Sequence, residues 1–282
     1  MQFRRYDDTG AFKQDVLDIL LEHEVQNNLL ISLITNDYAR FAKDWYLAAI
    51  TGSGGGVALS ALYVEPFDLI LFETGNNRQD DAVDLLAQET LRIGCRPAGV
   101  LAEGALARRF SAAFAAPGKS KLHMSTTVMR LDELSVYKKA PGFCRTLETR
   151  DMFFAPYWER AFSEDCRTPV FSIQENTDRL KTRLGKDTHY IWEDGAPVSQ
   201  AVHGRDTPNG AVINGVYTPP HYRGRGYATS VVAELSKSLL ERGKGFCCLT
   251  ADSDNPTSCK LYRSLGYYDV CKLENIRFDI RR

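Results

Sequence analysis

The sequence predicts an α+β protein in which one order of elements occurs twice. Three observations carry that prediction. At about 100–200 residues per domain, 282 residues leave room for two. An apolar share of 44% with 25% charged residues is that of a chain that builds packed cores. The apolar residues also switch between the 3.6-residue period of helices and the two-residue period of strands, in the order helix, strands, helix, strand, helix, strand, on both sides of the K-K-A-P-G segment at Lys138–Gly142. The expected domains are therefore 1–140 and 141–282.

In the first half, Val16, Ile19, Leu20, Leu29, Leu30, Leu33 and Ile34 recur at helical spacing and predict one helix over Ala11–Ile34. Trp45–Ile50, Val57–Val64 and Phe67–Glu73 are β-branched and aromatic enough for strands, the first two joined by the G-S-G-G-G turn at Gly52–Gly56. Asp80–Ile93 reads as a helix stopped by Gly94. A strand at Gly99–Ala102, a helix at Ala105–Ala115 ended by Pro117-Gly118 and a strand at Leu122–Leu131 complete the half.

In the second half, Cys144–Leu147 is a short strand and Met152–Phe162 and Thr177–Leu184 are helices. Tyr190–Glu193, Val198–His203 and Ala211–Tyr217 are strands between polar turns. Ala228, Val231, Val232, Leu235 and Leu239 line one face of a long helix closed by Gly243. A strand at Phe246–Thr250, a helix at Pro256–Leu265 and a terminal hairpin around Tyr267–Val270 and Leu273–Ile280 follow.

Composition narrows the function. The net charge of −1 is divided as −3 over residues 1–140 and +2 over 141–282, so neither half carries the positive surface that a nucleic-acid backbone or an anionic membrane requires. The longest apolar run, V-A-L-S-A-L-Y-V at residues 57–64, is far short of the ~20 residues of a membrane span. Seven cysteines without metal-ligand spacing, and a polar N-terminus, indicate a reduced, cytoplasmic protein without bound metal.

The stretch that carries chemistry is N-G-V-Y-T-P-P-H-Y-R-G-R-G-Y-A-T, Asn214–Thr229, where a strand passes through a glycine-rich turn directly into the long helix. The first backbone N–H groups of a helix lack internal partners and sit at the positive end of its dipole, so they accept an anion unless side chains block the way. Gly224, Gly226 and Ala228 leave that approach open, and Arg223 and Arg225 add charge suited to a pyrophosphate or an adenosine 3′-phosphate. On these residues alone, an ordinary strand-to-helix turn with exposed arginines reads equally well.

The surrounding residues resemble the GNAT superfamily of acyl-CoA-dependent N-acetyltransferases. Arg223, Gly226 and Ala228 match its R/Q-x-x-G-x-G/A signature. V-Y-T-P-P before that signature, and D-S-D-N-P-T-S-C-K-L-Y-R-S-L-G-Y ending at Tyr267 after it, are similar to blocks of a bacterial group with two fused domains. The likeness covers the second half through its motifs and the first half through layout. It implies tandem GNAT-like domains, each a mixed, mostly antiparallel sheet flanked by helices. The implied reaction moves an acetyl group from acetyl-CoA, as co-substrate, to a primary amine by direct attack in a ternary complex. The acceptor would be a small-molecule amine or a peptide N-terminus, and the protein a monomer or homodimer.

The resemblance also assigns roles. Val216, Tyr217 and Thr218 would offer backbone groups to pantetheine where two parallel strands separate. Arg223, Gly224, Arg225, Gly226, Tyr227, Ala228 and Thr229 would hold the pyrophosphate. Asn255, a good N-cap ahead of Pro256, and Ser258 would contact the pantetheine arm or its phosphates, and Tyr262 would protonate the departing thiolate. The alternative for Tyr262 is packing beside Leu261 and Leu265. Two residues before Val216 the family often has Glu; here Asn214 stands there and could only hold a water that relays the proton, with His203, Glu193 or Asp252 as acceptor.

The first half lacks these features. Its T-G-N-N-R-Q-D-D-A stretch puts Asp80 and Asp81 at a helix start, where carboxylates satisfy the dipole and repel phosphate, so that half reads as a degenerate copy. Two further readings remain: a CoA-binding sensor without turnover, suggested by Asn214, and an aminoacyl-tRNA-dependent transferase, opposed by the weak charge of both halves.

Overall fold

The structure, a computed structural model, describes residues 1–36, 44–52, 54–75 and 80–279. The chain divides into two compact units, Met1–Val128 with Val270–Arg282, and Met129–Asp269. The Lys138–Gly142 segment, expected as the boundary, thus lies inside the second unit.

In the first unit, strands β1 (Gln2–Tyr6), β2 (Tyr46–Thr51), β3 (Val57–Tyr63), β4 (Leu69–Glu73) and β5 (Gly99–Glu103) form a sheet in that order. The pairings are antiparallel except β4 with β5, which run parallel. Strand β2 shows why the sheet is buried on both faces. Its alternate residues Tyr46, Ala48 and Ile50 enter a core with helices α3 (Asp80–Arg92) and α4 (Gly104–Phe114), while Leu47 and Ala49 enter another with α1 (Thr9–Glu22) and α2 (Asn28–Thr35). Strand β6 (Ser120–Leu131) follows α4, and the unit boundary falls within it.

Two sequence expectations are corrected here, and one strand, β1, was not anticipated. The helix predicted over Ala11–Ile34 is two helices, because the side-chain amides of Asn27 and Asn28 donate to the carbonyls of Leu20 (3.2 Å) and Val25 (2.7 Å) and so stabilise the turn between α1 and α2. The polar N-terminus includes a strand, β1, whose Tyr6 is buried against Phe12. The predicted terminal hairpin is one strand, β12 (Tyr268–Phe278), and its residues 273–277 pair antiparallel with β5 of the first unit. Ile276 and Phe278 pack there with the α4 phenylalanines. Lys272, Glu274 and Ile276 fall on one face of the strand, so no clean period-two pattern marks it and its pairing with β5 decides it.

The second unit repeats the layers. Strands β7 (Phe143–Thr146), β8 (His189–Glu193), β9 (Pro197–Asp206), β10 (Gly210–Tyr217) and β11 (Phe246–Asp252) lie in the order β11-β10-β9-β8-β7, mixed because β10 and β11 run parallel and the others antiparallel. A 3-10 turn at Thr149–Phe153 leads into helix α5 (Ala155–Asp165), and α6 (Ile173–Lys181), displaced from its expected span, carries a Ser172–Glu175 capping box. Ile191 packs with Ala155 of α5 and Leu180 of α6, whereas Trp192, Ala201 and Ile213 pack with α7 (Tyr227–Glu241). A short helix α8 (Pro256–Ser264) precedes β12.

The K-K-A-P-G segment is strapped onto α7. The Ala140 N–H donates to Ser230 Oγ (2.8 Å), Lys139 pairs with Glu234 (2.9 Å), and the buried Trp192 indole donates to the Pro141 carbonyl (2.7 Å). Gly142, at φ +101°, passes so close to the Glu193 carbonyl that no side chain fits. Because Ile276 is a core residue of the first unit, Ile276→Ala is expected to lower stability by about 2–4 kcal/mol. Hydrogen exchange should then rise in β4 and β5 rather than in β8–β10.

Candidate active site

The second unit brings the predicted residues of β10, of the glycine turn and of α8 together on one unit, each for a local reason. Strand β10 pairs with β11 over Gly210–Val212 against Phe246–Cys248, and among the described residues the pairing stops there. On its other side, the register with β9 shifts between Val212 and Ile213 and again between Asn214 and Tyr217. Gly215 sits in the second shift at φ +59°, where a Cβ would lie 2.9 Å from Val202. A bulge here turns the end of β10 out of the sheet.

Side chains satisfy the carbonyls that the sheet gives up. Gln200 Nε2 donates to Gly215 O (3.2 Å), Ser199 Oγ to Tyr217 O (3.2 Å) and Arg223 Nε to Thr218 O (2.9 Å). The Thr218 hydroxyl is bonded to Ser199 (2.7 Å). Val216 is half-buried between these tethers, and Asn214, exposed, lies against Gly204 of β9.

A 3-10 turn at Pro220–Tyr222 leads to Arg223, Gly224 and Arg225 and then to the left-handed N-cap Gly226 (φ 82°, ψ 4°). Gly226 has no side chain with which to cap the helix, and the first internal bond of α7 runs from Ser230 N–H to Gly226 O (3.0 Å). The amides of Tyr227, Ala228 and Thr229 therefore point out of the helix end without an internal acceptor. A Cβ at Gly224 would meet nothing within 4 Å, so the approach is open. Arg223 does not project freely: Asp165 of α5 binds its guanidinium (2.8 Å) and it braces the turn. Tyr227 contributes backbone only, since its buried ring sends the hydroxyl to Asp194 (2.6 Å).

On α8, Asn255 Oδ1 accepts from Ser258 N–H (3.1 Å), the predicted cap, and the Ser258 side chain bonds Tyr262 one turn further on. Tyr262 is 7% exposed and meets Tyr267 edge-on at 5.9 Å. Burial pushes its phenol up to about 12, against the opposing effect of a hydrogen bond with Ser258. It keeps its proton at neutral pH.

The three expected proton acceptors are engaged elsewhere. His203 bonds Asp206 (2.8 Å), Glu193 pairs with Arg145, and Asp252 accepts from Asp254 N–H (2.9 Å). Sequence reasoning missed the group that does reach the bulge. Glu159 of α5 places Oε1 3.3 Å from Gln200 Nε2 and 3.4 Å from Arg183 Nη1, and 3.9 Å from where a Gly215 Cβ would stand. Gln200 in turn accepts from His189 Nε2 (3.2 Å), and both Gln200 and His189 are fully buried. No local sequence signal marks Glu159; the structure shows its neighbour Trp158 in contact with Tyr217 of β10 at 6.0 Å.

The first unit is built differently at the related position. Glu73 and Asp80, at the end of β4 and the start of α3, are both clamped by Arg109 of α4. Residues 76–79 of the T-G-N-N-R-Q-D-D-A stretch, and Ser53 of the glycine turn, lie outside the described residues. Among the described residues no group of His, Cys, Asp and Glu could hold a metal ion, and no helix is long and apolar enough to cross a membrane. None of the seven cysteines is in a disulfide.

Strand, bulge, glycine turn and uncapped helix within a mixed sheet define the acyl-CoA N-acyltransferase fold, and the comparisons agree. Residues 194–276 match the family model of the FR47-like proteins. A GNAT-family acetyltransferase from Colwellia psychrerythraea is similar over 100% of both chains at 11% identity (TM-score 0.62). A GCN5-related N-acetyltransferase from Sphaerobacter thermophilus is similar over 99% of this chain and 96% of its own at 17% identity (TM-score 0.69). A tandem GNAT protein of the clavulanic acid biosynthesis pathway aligns over 100% and 99% at 14% identity (TM-score 0.58). No curated protein matches. This chain has the GNAT fold in its tandem form.

The buried imidazole makes a prediction about acid stability. Burial pushes His189 down to about 3, whereas the unfolded chain binds the proton near 6.5. Below about 6.5 the unfolded state thus holds more protons, so stability is full above that pH and falls as pH drops toward 3, by up to ~1.4 kcal/mol per unit from this group. Urea titrations at pH 7, 5.5 and 4.5 are expected to show a shallower acid slope for His189→Gln than for the parent.

Proposed function

We propose that this chain is an acetyl-CoA-dependent N-acetyltransferase whose second unit binds the co-substrate and whose acceptor is a primary amine on a small molecule or at a peptide N-terminus. The observation that carries the reading is the unblocked start of α7: three outward amides at the positive end of a 15-residue helix, reached past two left-handed glycines. That cradle suits a pyrophosphate, with Arg225 beside it. The backbone of Val216, freed by the bulge, is suited to the amides of a pantetheine arm running between β10 and β11. Asn255 and Ser258 stand at the start of α8 for the far end of that arm. When bound, acetyl-CoA supplies an activated thioester carbonyl. The protein binds, orients and moves protons.

Tyr262 is suited to the leaving sulfur. A phenol at about 12 lies well above a thiol near 8.5, so full proton transfer to a thiolate runs uphill. What Tyr262 can do is donate a hydrogen bond as negative charge develops. Asn214 has no proton to accept and is suited to orient a water or the acceptor nitrogen. Cysteines without disulfides fit a reduced, cytoplasmic setting.

Two variants test this reading. Gly226→Glu adds bulk and negative charge at the cradle and should weaken acetyl-CoA binding at least tenfold by calorimetry, while Asp80→Lys in the first unit should leave it unchanged. Equal affinity in a folded Gly226→Glu protein would refute the site. Tyr262→Phe should keep CoA affinity and lower kcat by about 10- to 100-fold at saturating acetyl-CoA. Binding of acetyl-CoA with no thiol release across an amine panel would make the chain a sensor.

A further inference from the structure

An ammonium must lose a proton before its nitrogen can attack a thioester, and Asn214 cannot take it. We propose that Glu159 of α5 is the carboxylate that receives this proton, held at the β10 bulge by the buried Gln200–His189 pair; this rests on the N-acetyltransferase reading above.

The chemistry of the network fixes its direction. Both groups facing Gln200 Nε2, the Glu159 carboxylate and the Gly215 carbonyl, only accept, so the amide must present its NH₂ to them and its Oε1 to His189. His189, kept neutral by burial, must then carry its proton on Nε2. Its Nδ1 is left buried with no partner. Burying an amide and an imidazole is unfavourable unless their bonds are made. Here both are committed to orienting one half-exposed carboxylate and one bulge carbonyl.

That carboxylate is also open for work. Among the described residues, the contacts from Gln200 and Arg183 both go to Oε1, and none reaches Oε2. Gly215, beside it, adjoins Val216, where the co-substrate arm is expected. Trp158, next to Glu159, packs against the buried Tyr217 at 6.0 Å between ring centres, and the Tyr217 ring faces the Arg223 guanidinium at 5.9 Å, so aromatic rings line this side of the bulge. In the step proposed, the R–NH₃⁺ group gives one proton to Glu159 Oε2. The free amine then forms its C–N bond as the C–S bond breaks. The second proton leaves the nitrogen as the amide forms, and the thiolate takes up one proton, so one proton is released per turnover.

The test uses the full chain, with 2-phenylethylamine, spermidine and an alanyl tripeptide as acceptors. Glu159→Gln keeps the shape and an acceptor for Gln200, so the melting curve and acetyl-CoA affinity should match the parent. With the best of the three amines kcat should fall about 100-fold or more, and the limb of the pH profile that rises with pH should disappear. Glu159→Asp should recover part of the rate and the limb. Gln200→Leu, acting through Glu159, should lower kcat and shift that limb while the limb itself remains. A Glu159→Gln protein with the parent kcat and pH profile overturns the assignment and leaves the transferase reading standing. A parent chain that binds acetyl-CoA but acylates none of the three amines, or that does not bind it, overturns both.

Discussion

A backbone carbonyl that leaves a sheet must find another donor, and the end of β10 is arranged by that requirement. Beyond Val212 the parallel partner is lost, and beyond Asn214 the antiparallel register slips. The orphaned carbonyls of Gly215, Tyr217 and Thr218 are then taken by Gln200, Ser199 and Arg223. The substitutes tie two elements to the strand end: β9 through Gln200 and Ser199, and the turn before α7 through Arg223. Arg223 extends the tether to Asp165 of α5. The shape of the candidate cleft is thus a by-product of satisfying three oxygens.

The same economy separates the charges of the site. The start of α7 presents amides and Arg225 with no acid in its first turn, whereas the α5 side presents Glu159. The outward amides of α7 and the Glu159 carboxylate both belong to the C-terminal end of β10, the first following Tyr217 and the second lying at Gly215, in a chain whose net charge is only −1. In the first unit the corresponding elements carry acids instead, Glu73 and Asp80 sharing Arg109 and Asp81 exposed beside them, so a similar layer order presents negative charge at the helix start.

Much of this was legible in the sequence where the signal is local. The strand, glycines and helix of Asn214–Leu239, and the Asn255–Pro256 cap, need only neighbouring residues to be read. The bulge was overlooked although Asn214-Gly215 inside a strand is the local signal for one, because the run was read as uninterrupted strand. The Glu159–Gln200–His189 contact was hidden because Glu159 and Gln200 are 41 residues apart and His189 lies on a third element. Tyr227 and Arg223 show the converse: residues in a diagnostic motif whose side chains are occupied with holding the turn. The helix break at Asn27-Asn28 and the single strand β12 were misread because side-chain amides and a distant pairing partner, respectively, decided them.

Strand β12 also gives the chain a calendar. Its partner β5 is synthesised about 170 residues earlier, so at 5–20 residues per second the free edge of β5 waits roughly 10–30 s on the ribosome for its neighbour. The second unit is continuous from Met129 to Asp269 and its sequence is complete before β12 is made. The unit begun first is therefore finished last, and during that interval an open parallel-sheet edge of G-V-L-A-E is exposed to whatever strand comes by. Fusing or truncating the chain near residue 270 would bear on the folding of the N-terminal unit, however far that point lies from it in sequence.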